Sequence, residues 1–342
     1  MANSVTSHYF HAEAHALAGK LNKPFNQEIK KQAFVKLEGN LADLPDEERA
    51  ERNYFSQHAK NFRLEGIVSY AAAHTQVSGH KSDKHDGASV TLATSVVEDL
   101  NVLNVVTADR VVAQISTTHF PNQYSPEVTF LGTHFENLRI ARHPTVPAIH
   151  LPFAGKPPAG TDAYFPTQAT KENGLMASVE ALYQKLRDDF AKVKGKLEAE
   201  YLRRLDADDS WYSKQYDKFS DFDYEKLQDR AAEAAAPNGP KWEGVTCSLV
   251  NHVDIENIEI PVKNAKPIII PPPAHCFGHV IHVPDFGTIF LAELKVNHNS
   301  FDLTMIRLEL GCIADGSASV GATKVNGRSG GAGGGGKGGG GD

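Results

Sequence analysis

Three observations in the sequence predict a mainly β fold, a sandwich or flattened barrel interrupted by an α-helical hairpin. Residues 88–140 are dominated by Val, Ile, Thr and Phe, which suit a pleated, half-buried surface. Residues 175–201 carry apolar side chains in steps of three and four, the stripe of an amphipathic helix. After Gly244 the strand pattern returns and runs to Leu310. A β-solenoid with the same helical insertion is the alternative, its corners at two Asn-centred bends, although no sustained fixed period supports it.

The bulk properties narrow the function classes. The chain has 342 residues, 41% hydrophobic and 23% charged, enough to bury a sizeable core. Its formal net charge of -7 gives no general pull toward nucleic acid or anionic membranes. The N-terminus lacks the basic and apolar regions of a signal peptide, and no apolar run approaches the length of a spanning helix, so a cytoplasmic location without a transmembrane segment is the default expectation. Cys247, Cys276 and Cys312 are too scattered for a disulfide framework and read as small buried apolar residues.

Taken in order, residues 1–56 read as an N-terminal helical segment. His8, His11 and His15 recur at i, i+3 and i+7, so on a helix they share one face, which is either exposed and frayed or able to hold a metal. Pro45 followed by Asp46, Glu47 and Glu48 signals a second helix start.

Residues 57–165 read as the first half of the β domain with its connector. Strand character begins at Asn61, and His74–Gly87 reads as a polar connection between strands that could bind an anion or a metal. Val90, Leu92, Thr94 and Val96 alternate onto one face, as do Val111, Ala113 and Ile115. Two segments, Phe135–Ile140 (FENLRI) and Ile255–Ile260 (IENIEI), share one pattern, and in both the apolar phase slips across Asn137 or Asn257. A bulge or tight bend at each Asn accounts for the slip, and the likeness suggests two similar strands in one core. Residues 143–166 hold six prolines and read as a connector poorly suited to sheet or helix.

Residues 166–240 read as the inserted helical hairpin. Its first helix carries the stripe from Leu175 to Tyr201, a break falls at Asp206–Ser210, and a second helix covers Asp223–Ala235. Trp211, Tyr212, Tyr216, Phe219 and Phe222 lie between them, either packed on the β core or forming a partner-binding tip. Residues 241–326 are the second half of the β domain. Strands are expected at Val245–Val250 and Val253–Val262, then a stiff bridge at Pro271–Pro273. A hairpin follows, from Phe290–Val296 through Asn297–Ser300 to Phe301–Leu310. The Gly-rich tail 327–342 cannot bury enough apolar surface to order itself, and its phosphate-loop likeness fails because Gly338 follows Lys337.

Candidate chemistry is sparse. His275, His279 and His282 flank Cys276 and offer ligands for a transition metal such as zinc, but on one strand His279 and His282 face opposite ways. Glu98, Asp99, Asp109, Glu127 and Glu136, with His119 and His134, form a second set suited to acid–base work if brought together. No nucleophile elbow, dinucleotide fingerprint, HExxH or CxxC is present in the sequence. The expected function is therefore a non-catalytic binding or assembly protein, contacting a protein partner or another copy through its β surface or helical arm. A metal-dependent enzyme using residues 275–282 and a carbohydrate-binding protein are the alternatives.

Overall fold

Long alternating strands organise the chain into two antiparallel sheets. The computed structural model describes residues 8–24, 26–40, 53–82, 87–121, 123, 125–155, 175–207, 210, 212–213, 245–297, 300–311 and 315–326. Before the insertion lie β1 (Tyr9–Lys23), β2 (Gln27–Gln32), β3 (Val35–Asn40), β4 (Tyr54–Leu64), β5 (Val68–Lys81), β6 (Ser89–Val102), β7 (Val106–His119), β8 (Glu127–Thr129), β9 (His134–Glu136), β10 (Arg139–Ile140) and β11 (His143–Ile149). The insertion contains α1 (Leu175–Val193) and α2 (Ala199–Leu205). After it come β12 (Val245–Ser248), β13 (Val250–Ile255), β14 (Ile258–Ile260), β15 (Ile268–Ile270), β16 (His275–Phe277), β17 (Val280–Val283), β18 (Gly287–Val296), β19 (Ser300–Gly311) and β20 (Asp315–Asn326).

Sheet one runs β16-β17-β18-β19-β20-β1-β2, with β12 beside β18 and β3 beside β1; sheet two runs β13-β11-β10-β7-β6-β5-β4, with β8 and β9 beside β7. The sheets pack face to face as a sandwich, β1, β19 and β20 lying over β5, β6 and β7. Neither sheet closes into a barrel, and the connectivity is not that of a solenoid. Strands from both sides of the insertion meet in each sheet: β1 pairs with β20, and β11 with β13. The hairpin of β18 and β19 forms as expected, with Asn297 Oδ1 accepting from the Ser300 amide at 2.6 Å in its turn.

Both sheets carry a crease along which the inward and outward faces exchange. In sheet two, β6 buries Ser89, Thr91, Ala93, Ser95 and Val97, then switches parity to Leu100 and Val102; between them Asp99 adopts a left-handed φ of 53°. Asn61 on β4 and Asn137 after β9 do the same, with φ of 54° and 48°. The ladder skips these positions: Lys60 pairs with Ala72 and Phe62 with Tyr70, while Glu98 pairs with Arg110 and Leu100 with Ala108. In sheet one Ala292 (φ 47°) and Gly321 (φ 61°) mark the corresponding line. Such bulges increase the local twist and re-aim the strand.

The crease residues expose an internal recurrence. Asn61, Asp99 and Asn137 stand at a constant 38-residue step, and each is followed by an apolar-x-apolar triplet and a two-residue turn with both φ values positive. Those turns are Glu65-Gly66, Leu103-Asn104 and Ala141-Arg142, the backbone of a type I′ hairpin. They stack on one another, the Leu103 amide donating to the Ile67 carbonyl at 2.8 Å and the Ala141 amide to Val105 at 2.7 Å. The Glu256 amide extends the staircase to the Pro144 carbonyl at 2.9 Å.

Several expectations are corrected. The N-terminal helical segment is instead strands: β1 buries Phe10, Ala12, Ala14 and Ala16 by alternation, so His11 and His15 lie on its other face. Alanine is favourable in helices, but tertiary pairing with β3 and β20 overrides that preference. The polar stretch from His74 belongs to β5, whose outward side chains are polar because that face meets solvent. Val90, Leu92, Thr94 and Val96 do share a face, but it is the outer one. Residues 143–149 of the Pro-rich connector are strand β11, and beyond Pro144 it pairs with β13 alone, so Pro147 needs no donor on its open side. The bend at Asn137 is present, whereas Asn257 has no left-handed φ and the strands that follow the two Asn residues lie in different sheets. The Pro45 helix start, the helix at 223–235 and the tail 327–342 lie outside the described residues.

Two substitutions test this backbone. Ala141→Gly relieves a left-handed alanine and is expected to stabilise by about 0.5 kcal/mol. Gly19→Ala places a Cβ 2.3 Å from the Ser317 carbonyl oxygen and is expected to cost about 2 kcal/mol or more. Urea midpoints of both variants check the opposite signs.

Candidate functional site

The region after β13 is where the chain leaves the sandwich. In the three recurrent units, the apolar residues after the crease position are buried or half-buried: Leu138 is 3% and Ile140 0% exposed, and Leu100 and Val102 are equally covered. The similar segment after Asn257 differs: Ile258 is half-buried and Ile260 exposed, and both enter β14, which among the described residues pairs only with β15, in the register Ile258 to Ile270 and Ile260 to Ile268. Where the other units turn back in two residues, this one runs out as an arm.

Every residue from Glu259 to Pro271 is exposed. Ile268 and Ile269 are 55% and 56% accessible, and Ile260, Val262 and Ile270 are close behind. By register, Ile258, Ile260, Ile268 and Ile270 occupy one face of the arm, and Ile269 shares the other with the exposed Glu259. The tip, Val262–Ala265, is closed by the Ala265 amide donating to Val262 at 3.2 Å, with Asn264 at a left-handed φ of 63°. Lys263 and Lys266 are the charges of the tip. The Pro271–Pro273 bridge stiffens the return. Single exposed apolar residues are ordinary, but a contiguous group like this is the kind of surface that interaction sites present. The sequence signal is the run Ile268-Ile269-Ile270 between Pro267 and Pro271, too short for a spanning helix and held extended by its flanking prolines.

The late histidines are partly brought together. His275 on β16 and His282 on β17 are direct cross-strand partners and share a face. His279 sits in the two-residue turn beyond them with Gly278, whose φ is 56°, and is wholly buried. Tyr201 of α2 stacks on His282, ring centroids 3.6 Å apart. Burial, then the neighbouring His275 and Arg204, pushes His282 down to about 4. Burial and Arg307 push His279 down to about 3. Arg307 is itself held between Glu293 and Glu309 and lies 3.5 Å over the Phe290 ring. Among the described residues no group of three or more His, Cys, Asp or Glu is arranged to hold a metal. Burial raises both described thiols, Cys276 to about 12, so neither is a nucleophile near neutral pH.

The helical insertion is docked rather than free. Leu175, Val179, Leu182, Tyr183 and Leu186 are buried, Tyr183 Oη donates to the Thr246 carbonyl at 2.6 Å, and Leu186 lies against Gly278. Tyr212 stacks on Phe190 at 4.5 Å, which is the packing arrangement for that aromatic; Trp211, Tyr216 and Phe219 lie outside the described residues.

The carboxylate set divides. Glu98 and Glu136 flank Arg110 at 2.8 and 3.6 Å, with His134 Nε2 at 3.2 Å from Glu136, forming an exposed ion-pair row across sheet two. Asp109 accepts from Asn137 Nδ2 at 2.6 Å, pinning the crease. Asp99 lies exposed in the same crease and Glu127 lies on β8. His119 is elsewhere: it is buried beside His8, ring centroids 4.4 Å apart, with Asn326 Nδ2 donating to His8 Nε2 at 3.3 Å.

The buried imidazoles set an acid limit. Burial lowers His8 and His15 to about 4, and burial with the nearby His8 lowers His119 to about 3. The charged form is the protonated one, so protons bind the unfolded chain first. The stability is complete above about pH 6.5 and is lost as pH falls toward 4. Urea midpoints at pH 7.5 and 5 are expected to differ by several kcal/mol in unfolding free energy, and His119→Gln is expected to flatten that slope.

No curated protein matches the chain, and no solved structure matches it. One family does match, over residues 8–297, a span that takes in the arm and ends after β18. The chain belongs to the family described as Domain of unknown function (DUF8256).

Proposed function

We propose that the protein is a non-catalytic binding or assembly protein, a β-sandwich scaffold that presents the β14–β15 arm as its contact element. One observation carries this reading: Ile260, the counterpart of the buried Ile140, is held in solvent together with Ile268, Ile269 and Ile270. Keeping isoleucine in water has no stabilising effect on the scaffold, since burial of such a side chain is worth about 1.5–3 kcal/mol. A contact that covers these side chains supplies that gain.

A metal-dependent enzyme would have to be built on His275 and His282, a two-ligand start. Carbohydrate binding through aromatics has Tyr54 and Phe55 on the edge strand β4 as its exposed rings among the described residues, with Tyr9 and Phe34 elsewhere.

Replacing residues 258–270 by an Asn-Gly turn tests the reading. The shortened chain is expected to fold with a thermal midpoint within a few degrees of the parent, because the arm pairs only with itself. A collapse of the midpoint would make the arm a structural element and remove the proposal.

A further inference from the structure

We infer that the arm inserts shallowly into the interface of an anionic lipid bilayer, with Lys263 and Lys266 on the phosphate-rich surface. This rests on the reading of the arm as the contact element and names its partner.

Ile260, Ile268 and Ile270 are exposed on one face of the arm beside the half-buried Ile258, while Ile269 shares the other face with Glu259, so the isoleucine-rich face is the one that meets an apolar layer and Glu259 stays in water. Pairing of β15 with a strand of another chain is confined to three residues by Pro267 and Pro271.

Backbone chemistry agrees. Unpaired amide donors are costly at the edge of an apolar phase. Pro261, Pro267 and Pro271 remove donors next to both short strands, and the remaining groups stay within reach of headgroups and water at shallow depth.

Charge supplies the orientation. The chain as a whole carries -7, which opposes approach to an anionic surface in most orientations. The tip carries two lysines between Val262 and Pro267 and no acid. Their four-carbon stems can lie along the apolar layer while the ammonium groups meet lipid phosphate. Each lysine near such a surface is worth about fivefold in binding. No helix among the described residues is long and apolar enough to cross a membrane, and the contact described needs none.

The test uses the full chain with vesicles of phosphatidylcholine alone and of phosphatidylcholine with about one-fifth phosphatidylserine, read by co-sedimentation and by its salt dependence. The expected result is binding to the anionic vesicles, weakened by salt and reduced about tenfold or more by Lys263→Glu with Lys266→Glu. Ile268→Ser with Ile270→Ser is expected to abolish it while the thermal midpoint holds. Should the isoleucine variant fail to fold, the lysine variant alone decides. Equal binding to both vesicle types, or none to either, overturns the lipid inference. If vesicles are ignored but the chain self-associates in sedimentation velocity and the isoleucine variant does not, the arm remains the contact element and its occupant is a second copy. If neither occurs, both readings fall.

Discussion

The contact between the two sheets depends on the parity of the strands. Alternation places every second side chain inward, and β1, β5, β6 and β7 are 14 or 15 residues long. Over that length twist carries one face of a strand away from its partner sheet. The creases at Asn61, Asp99 and Asn137 in one sheet and at Ala292 and Gly321 in the other exchange the faces midway. Without that exchange Leu100, Val102, Val106 and Ala108 would be aimed at solvent. The buried hydroxyls follow the same geometry: Ser95 Oγ donates to the His15 carbonyl at 3.0 Å across the sandwich, and Thr75 Oγ1 donates to the Ala33 carbonyl. Partners of this kind make buried hydroxyls such as Ser95 and Thr75 tolerable in a core face.

The arm gains its meaning from the same recurrence. Three units crease, run an apolar triplet into the core and turn in two residues. The segment at Ile255–Ile260 carries a similar sequence and attaches to the staircase through the Glu256 amide and through its carbonyl, which lies 2.9 Å from His143 Nδ1. It then departs outward. The departure is a matter of pairing, since β14 has β15 as its only neighbour and no core strand to lie beside.

The insertion and the late histidines belong to the scaffold's covering layer. β18 is buried on both sides for most of its length because sheet two lies on one face and the helical insertion on the other. Tyr201 on His282 and Phe190 against Phe277 are part of that cover. His279 and His282 stay neutral near pH 7 because burial disfavours their charge.

The sequence by itself determined element types wherever one period dominated: the stripe from Leu175 to Phe190, the β18–β19 hairpin with its Asn297 turn, and Val111, Ala113 and Ile115 as a core face. It misled where two periods coexist. His8, His11 and His15 fit a helix, while Phe10, Ala12, Ala14 and Ala16 fit a strand, and alanine is too weakly apolar to decide. On β6 the sequence marks two alternating faces, but only the tertiary structure decided that Ser89, Thr91 and Ser95 face inward, because the partners of Thr91 and Ser95 come from distant strands. The candidate site divides in the same way. The isoleucine run and its flanking prolines are plain in the sequence, but exposure is a property of what packs nearby, and no local pattern encodes that β14 and β15 are left to pair with each other alone.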